Sequence, residues 1–454
     1  MNRSRNHTNH MHLAAFVTAG PGRPGGWRYP DADRNWLSAS HYQHIGRVLE
    51  EGKFDLMFFA DILSVPDRLG NSMDSQLRYG SLGSLRLDPT PILASIAAVT
   101  DHIGLAATVS TSYLEPFPVA RSFATTDHIS DGRAAWNVVT SFQDSEARNF
   151  GNDRHIDRDK RYERADEFLE VACKLWDSWE DDALVLDPDT PLFAEPERVH
   201  HIDHEGEWFS VRGPLNVARP PQGYPVIIQA GASHKGRDFA ARWSDVIFCS
   251  HASLESAREF YDDIKGRAER HGRHPEDVKI LPMATPVIGP TTEAAQRSAD
   301  ELADLVPPLA GLSTLSYHLD VDLSGLPLDE PLPDVDVPGV QGHYKEVVEM
   351  TRREGLTLRE LGKRYGGRVE GTFVGTAAEV ADGMERWFTE GACDGFTVGA
   401  VHTPGAFEDF VRQVVPELQR RGVFRTEYEG RTLRDNLGLE RPAAGAWRSR
   451  RHGA

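Results

Sequence analysis

Short, wholly apolar runs recur along this chain, and amphipathic helical stretches separate them. Runs apolar on both faces belong to parallel strands covered on either side, because an exposed face would show polar alternation. The runs expected as strands are residues 12–18, 54–61, 103–111, 133–141, 225–231, 245–251, 280–289 and 395–400. Helical spacing is expected over 38–53, 90–100, 118–129, 165–179 and 407–421, with Ser38 or Ser40 as a cap on the first. Eight such units predict an α/β chain in the form of a (β/α)8 TIM barrel with long insertions. A doubly wound open sheet is the alternative, but no GxGxxG follows the first run.

Two stretches break the rhythm. Residues 181–222 are rich in Pro, Asp and His and contain a hairpin-like EGEWFSVRGPLNV. Residues 306–345 are rich in Pro, Leu, Asp and Gly and read as an extended loop, the first candidate for a lid. Residues 1–440 are read as one domain, and 441–454, rich in Ala, Gly and Arg, as a disordered tail.

The formal net charge of −19 argues against nucleic acid or an anionic membrane as a partner. Cys173, Cys249 and Cys393 lie far apart without CxxC spacing, which disfavours disulfides or a thiolate metal site and suits a cytoplasmic protein. The N-terminal residues lack the apolar core of a signal peptide, and no run has the length of a membrane span.

Polar residues at the C-terminal ends of barrel strands line the mouth, where such folds do chemistry. Asp61 ends the second run; a loop ion pair is its bland reading. Thr108 and Ser110 are two apart and share one strand face, inward or outward. Asn137 interrupts AAWNVV, and a buried amide wants a partner: a structural network, or a ligand with ring nitrogens and carbonyls. His155, Arg158, Arg161 and Tyr162 open the long helix, as a phosphate site or an exposed charged turn. Gln229-Ala230-Gly231-Ala232-Ser233 joins a buried run to a helix; Gly231 lets backbone approach an anion and Ser233 caps the helix or donates to a phosphate. His12, Phe16, Trp27 and Phe142 sit on or after strands as pocket walls or packing. His200, His201 and His204 tempt a metal reading, but the segment reads as loop and carries no HExxH; no metal is expected.

The order of longer motifs is more specific than any of these residues. FDLMFFAD, DPTPILASIAAVTDHIGLAATVST, GRAAWNVVTS, EARNFG, RYERADEFLEVACKLW and PPQGYPVIIQAGAS follow one another as they do in one family. The chain resembles the flavin-dependent monooxygenases of the bacterial-luciferase superfamily, in the nitrilotriacetate and dibenzothiophene-sulfone monooxygenase branch, over nearly its whole length. The resemblance implies a barrel that binds FMN, as FMNH2 from a separate NAD(P)H:flavin reductase, and uses O2 to oxygenate a small organic substrate. It implies Asp61, Thr108, Asn137, Arg158, Tyr162, Gly231 and Ser233 as cofactor contacts. His12 becomes the candidate polar group beside the reacting flavin, and Phe16, Trp27 and Phe142 the substrate pocket. It also implies a homodimer or homotetramer. Two departures stand out: Arg158 occupies a position where relatives often carry His, and the loop TAGPGRPGGWRYP lacks the His pair that relatives often have there. An F420-type oxidoreductase, a non-catalytic flavin-binding protein and a metal-dependent hydrolase are the alternatives.

Overall fold

The eight expected runs form eight parallel strands that close on themselves. They are β1 (His12–Thr18), β2 (Leu56–Ala60), β3 (Gly104–Ser110), β4 (Ala134–Val139), β5 (Val226–Gln229), β6 (Val246–Cys249), β7 (Lys279–Ala284) and β8 (Gly395–Gly399). Around the closed barrel the order is sequential, with β8 pairing β1. The computed structural model describes residues 10–81, 83–231, 233–333, 341–367 and 373–450; the side chains of Arg158, residues 341–346 and residue 367 lie outside that description. The outer helices α1 (Ala39–Glu51), α2 (Pro89–Ala97), α3 (Pro116–Ile129), α4 (Arg158–Trp176), α5 (His234–Trp243) and α6 (Leu254–Arg270) follow the first six strands. Helices α7 (Pro308–Leu319) and α8 (Leu358–Gly367) lie between β7 and β8, as does α9 (Ala377–Thr389). A helical run, Gly405–Arg420, follows β8.

Strand alternation divides the apolar side chains into two layers. Ala14, Leu56, Phe58, Ala106, Ala135, Val226, Ile228 and Leu281 fill the barrel interior. Leu13, Ala15, Met57, Phe59, Leu105, Ala107, Trp136 and Val138 point outward into the shell beneath the helices. Ala106 faces inward, so Thr108 and Ser110, two and four residues on, face inward too.

The N-terminal ends of the strands are sealed. Asp55, Asp245 and Asp394 immediately precede β2, β6 and β8, and each accepts a backbone N–H from a neighbouring strand: Leu13 at 2.8 Å, Ile227 at 3.0 Å and Ile280 at 2.8 Å. Each also meets a buried cation: Arg425 at 2.6 Å, Arg434 at 2.8 Å and Lys265 at 3.0 Å respectively. Arg425 and Arg434 belong to the C-terminal segment, which also pushes Leu433, Leu437 and Leu439 into the interior cluster.

Two expectations change here. The stretch after residue 440 is packed through Arg450: Arg441 and Arg219 meet Asp181, Trp447 is buried, and Arg450 donates to the Trp243 carbonyl at 2.8 Å. Its basic residues find acidic partners far away in sequence; residues 451–454 lie outside the described residues. The stretch from 306 is not simply extended. Pro307 and Pro308 stand at the start of α7, where a missing N–H costs nothing. Helices α7 and α8 touch at their backbones, since a Cβ on Gly311 would strike the Gly362 carbonyl. They share a core of Leu312, Leu315, Leu319, Leu358 and Leu361. Residues 334–340 lie outside the described residues. The hairpin expected in EGEWFSVRG is present, pairing His204–Glu205 with Ser210–Val211.

Burial alone would raise the Asp245 carboxyl, but Arg434, Arg450 and Arg273 hold it below the ordinary range. Asp245→Asn leaves these cations uncompensated and is expected to cost about 3–5 kcal/mol near neutral pH. A depressed carboxylate stabilises in full above its unfolded pKa of about 4, and that stability is lost as pH falls through its lowered folded value. The gap between variant and wild type in urea midpoint should therefore narrow as pH falls below about 4.

Candidate active site

The opposite ends of the strands open into a mouth lined by polar groups. At its centre, Thr108 on β3 and Asn137 on β4 are register partners and both are buried. The Thr108 hydroxyl donates to the Phe59 carbonyl at 2.7 Å, so it is left to accept from the Asn137 amide N–H at 2.9 Å. That relay fixes the amide orientation, because only the Nδ2 side can donate. Asn137 Oδ1 then faces away with no partner among the described residues. A buried acceptor without a donor costs about 1–3 kcal/mol, which a ligand N–H in that position removes.

Asp61 follows β2 directly. Burial pushes its carboxyl up to about 7; Arg86 opposes the rise, while Asp88 and Glu146 add to it. The loop beyond is tied across the mouth, since Leu63 N–H donates to Glu146 at 3.1 Å. Ser110 and Ser141 share a hydroxyl contact at 3.0 Å, and Arg161 donates to the Ser141 carbonyl.

A second cluster lies where β5 passes into α5. Ser233 caps α5 by accepting the Gly236 N–H at 3.1 Å. A Cβ on Gly231 would sit 2.6 Å from the Gly236 backbone, and a Cβ on Gly236 would sit 2.7 Å from the Tyr162 hydroxyl. Two glycines therefore let the turn after β5, the start of α5 and the Tyr162 hydroxyl approach one another closely. With the helix dipole behind it, this arrangement suits an anion such as a phosphate. Ala232 and the Arg158 side chain lie outside the described residues; the backbone of Arg158 begins α4.

Phe16, Phe58 and Phe248 make an aromatic group within the barrel, with ring centroids 5.4 and 5.6 Å from Phe16. Phe142 packs on Tyr317 of α7 at 5.2 Å, and Gln143 donates to the Tyr317 carbonyl at 2.9 Å. These contacts, with an Arg68–Asp320 ion pair at 3.0 Å, fasten α7 beside the mouth. Trp27 lies in the loop after β1, its indole donating to the Tyr79 carbonyl at 2.8 Å.

His12 does not belong to this group. It begins β1, about 20 Å of strand below Thr18. Its ring bonds Asp55 at 3.0 Å in the sealed end, and burial lowers its pKa despite that carboxylate. Strand direction therefore sets His12 apart from the mouth residues with which it was expected. The HHIDH histidines take separate partners: His200 with Glu180, His201 with the Gly213 carbonyl, His204 with Glu167 and Lys174. Sequence reading passed over Glu146, Tyr317 and Arg86. Glu146 lies in the EARNFG motif, where a carboxylate beside apolar neighbours was a usable signal; Tyr317 and Arg86 gave none.

Residues 16–394 match the luciferase-like monooxygenase family. The chain is 48% identical over 443 residues to the dibenzothiophene-sulfone monooxygenase of Rhodococcus erythropolis (strain XP), covering 95% of this chain and 97% of that one. It is 45% identical over 426 residues to nitrilotriacetate monooxygenase component A of Aminobacter aminovorans, covering 92% and 94%. A riboflavin lyase solved with modified FMN and riboflavin superposes with a TM-score of 0.85 at 33% identity, covering 95% and 97%. The chain belongs to the luciferase-like monooxygenase family.

Two outcomes follow from this geometry. Gly231→Ala places a Cβ against backbone rather than a flexible side chain and is expected to destabilise by about 1–3 kcal/mol in thermal unfolding. For Asp61, the folded protein holds a proton between about pH 4 and 7 that the unfolded chain has lost, so Asp61 costs stability as pH rises through that window. Asp61→Asn removes the cost, at most about 4 kcal/mol. Its unfolding temperature relative to wild type should rise from pH 5 to pH 8.

Proposed function

Starting from membership of this family, we propose that the chain is the oxygenase component of a two-component system. It takes reduced FMN from a separate NAD(P)H:flavin reductase and oxygenates a small organic substrate with O2. The observation that carries the cofactor assignment is the unanswered Asn137 acceptor above a barrel whose rim also holds the N-terminus of α5 beside the Tyr162 hydroxyl. A flavin mononucleotide carries both complements, a ring N–H and a phosphate.

In this reading Asn137 Oδ1 accepts a ring N–H, and Thr108 holds the amide in the orientation that permits it. Gly231, Ser233 and Tyr162 receive the phosphate at the start of α5, with Arg158 at the start of α4 as a cationic partner. Asp61, largely protonated below pH 7, presents a neutral carboxyl to the ring edge rather than a charge. When bound, the reduced flavin supplies the electrons that let O2 deliver one oxygen atom to substrate and the other to water. The protein's part is position and dryness: Phe142, Tyr317 and α7 cover the mouth against water. Phe16, with Phe58 and Phe248, and Trp27 give the substrate pocket its apolar walls. The proposal extends to a homo-oligomer, supported by the exposed Leu186 and Phe193 on the hairpin of Leu184–Asp187 with Leu192–Ala194.

Anaerobic titration separates this from a merely structural cavity. Reduced FMN is expected to bind at least tenfold more tightly than oxidised FMN, and Asn137→Leu to weaken it by tenfold or more. Equal affinity for both redox states would sink the two-component reading.

A further inference from the structure

Buried arginines of this chain meet carboxylates, hydroxyls or carbonyls, whereas half-buried Arg86 at the mouth meets only carbonyls among the described residues. Arg219 pairs with Asp177 and Asp181, Arg434 with Asp245, and Arg133 donates to the hydroxyl of Thr100 and to surrounding carbonyls. Arg86 makes no ion pair among the described residues. Among the described residues its hydrogen bonds are from Nη1, to the Pro21 carbonyl at 3.0 Å and the Leu85 carbonyl at 3.3 Å. Burial lowers its pKa, and Asp61, Tyr317 and Tyr42 are the groups whose field opposes that. The guanidinium therefore lies between the loop after β1, the end of β2 and the covering helix α7. Asp61 is too readily protonated to serve as its full counter-ion near neutral pH.

The segment that carries Arg86 is polar in the same unfinished way. Gln76 is fully buried with neither amide atom bonded, and the hydroxyls of Ser81 and Ser84 are without partners among the described residues. The short helix Asp74–Tyr79 packs on α7, which contributes another such hydroxyl, Ser316. A half-paired guanidinium matches a carboxylate or sulfonate, which takes two parallel N–H donors at once.

We propose that Arg86 anchors an oxyanionic group of the substrate at the barrel mouth, so that this chain acts on small organic acids whose apolar part lies against Phe16, Phe58 and Phe248. The proposal rests on the flavin monooxygenase reading, because it assigns the substrate of that same mouth. The acid group stays fixed at Arg86 while oxygenation occurs elsewhere on the molecule.

The test uses full-length FMN-loaded protein and matched acid and methyl-ester pairs: thiodiglycolate, 4-(methylthio)benzoate and N-benzylglycine. Binding is measured by calorimetry, and turnover with photoreduced FMN and O2 is scored by oxygenated product. At least one acid is expected to bind ten times more tightly than its ester. Arg86→Gln should lose that preference by tenfold or more, and Arg86→Lys should keep part of it. Unchanged thermal midpoints in both variants show that the fold is intact. Should Arg86→Gln fail to fold, Arg86→Lys is compared instead, and a loss of preference short of the wild-type value still supports the anchor. Acid binding that depends on Arg86, without oxygenation of any probe, supports the anion site and counts against the monooxygenase reading. Esters binding as well as acids, acid binding unaffected by either variant, or no binding by any probe overturns the anion site, whether or not oxygenation is seen.

Discussion

Three aspartates at the foot of the barrel hold the rest of the molecule in place. Asp55, Asp245 and Asp394 each bind the backbone of a neighbouring strand on one side and a buried cation on the other. A carboxylate accepts several hydrogen bonds at once, so one residue fixes both strand register and the approach of the outer chain. The C-terminal segment is drawn under the barrel by this chemistry as much as by its leucines. With the strands locked at one end, their other ends keep the spacing that sets Thr108 against Asn137.

This division of labour, charge at the foot and unanswered polarity at the mouth, separates stability from chemistry within one barrel. At the foot the three carboxylates have their partners close by. At the mouth Asn137 Oδ1 has no partner among the described residues, and Gly231 and Gly236 let their backbones meet beside the Tyr162 hydroxyl. A buried acceptor without a donor is costly, and the one at the mouth marks a place that an occupant's N–H would fill.

Much of this could be read before the fold was known, for stated reasons. β1 spans residues 12–18 as expected, and Ser38 caps α1, because apolar runs and cap residues act locally. The inward pairing of Thr108 and Asn137 was half legible: alternation puts Thr108 and Ser110 on one face but cannot choose which. His12 has the residue type of a polar group for chemistry, but as the first residue of a parallel strand it lies at the foot. The prolines of 307–308 suggested a loop, yet proline suits the first turn of a helix as well as a break. The packing of Arg441 and Arg450 depends on Asp181 and Asp245, more than two hundred residues away. Such pairings leave no local trace. Arg86 was overlooked for the same reason, since what distinguishes it is the partners it lacks.

The leucines that rise into the barrel from below have a consequence for traffic. Leu433 and Leu437 stopper one end of the tube, so whatever reaches the reacting centre shares a single doorway with whatever leaves it. Molecules in a blind passage must queue. The order in which ligands enter is then imposed by architecture as well as by affinity, and one that lingers at the rim holds up everything behind it.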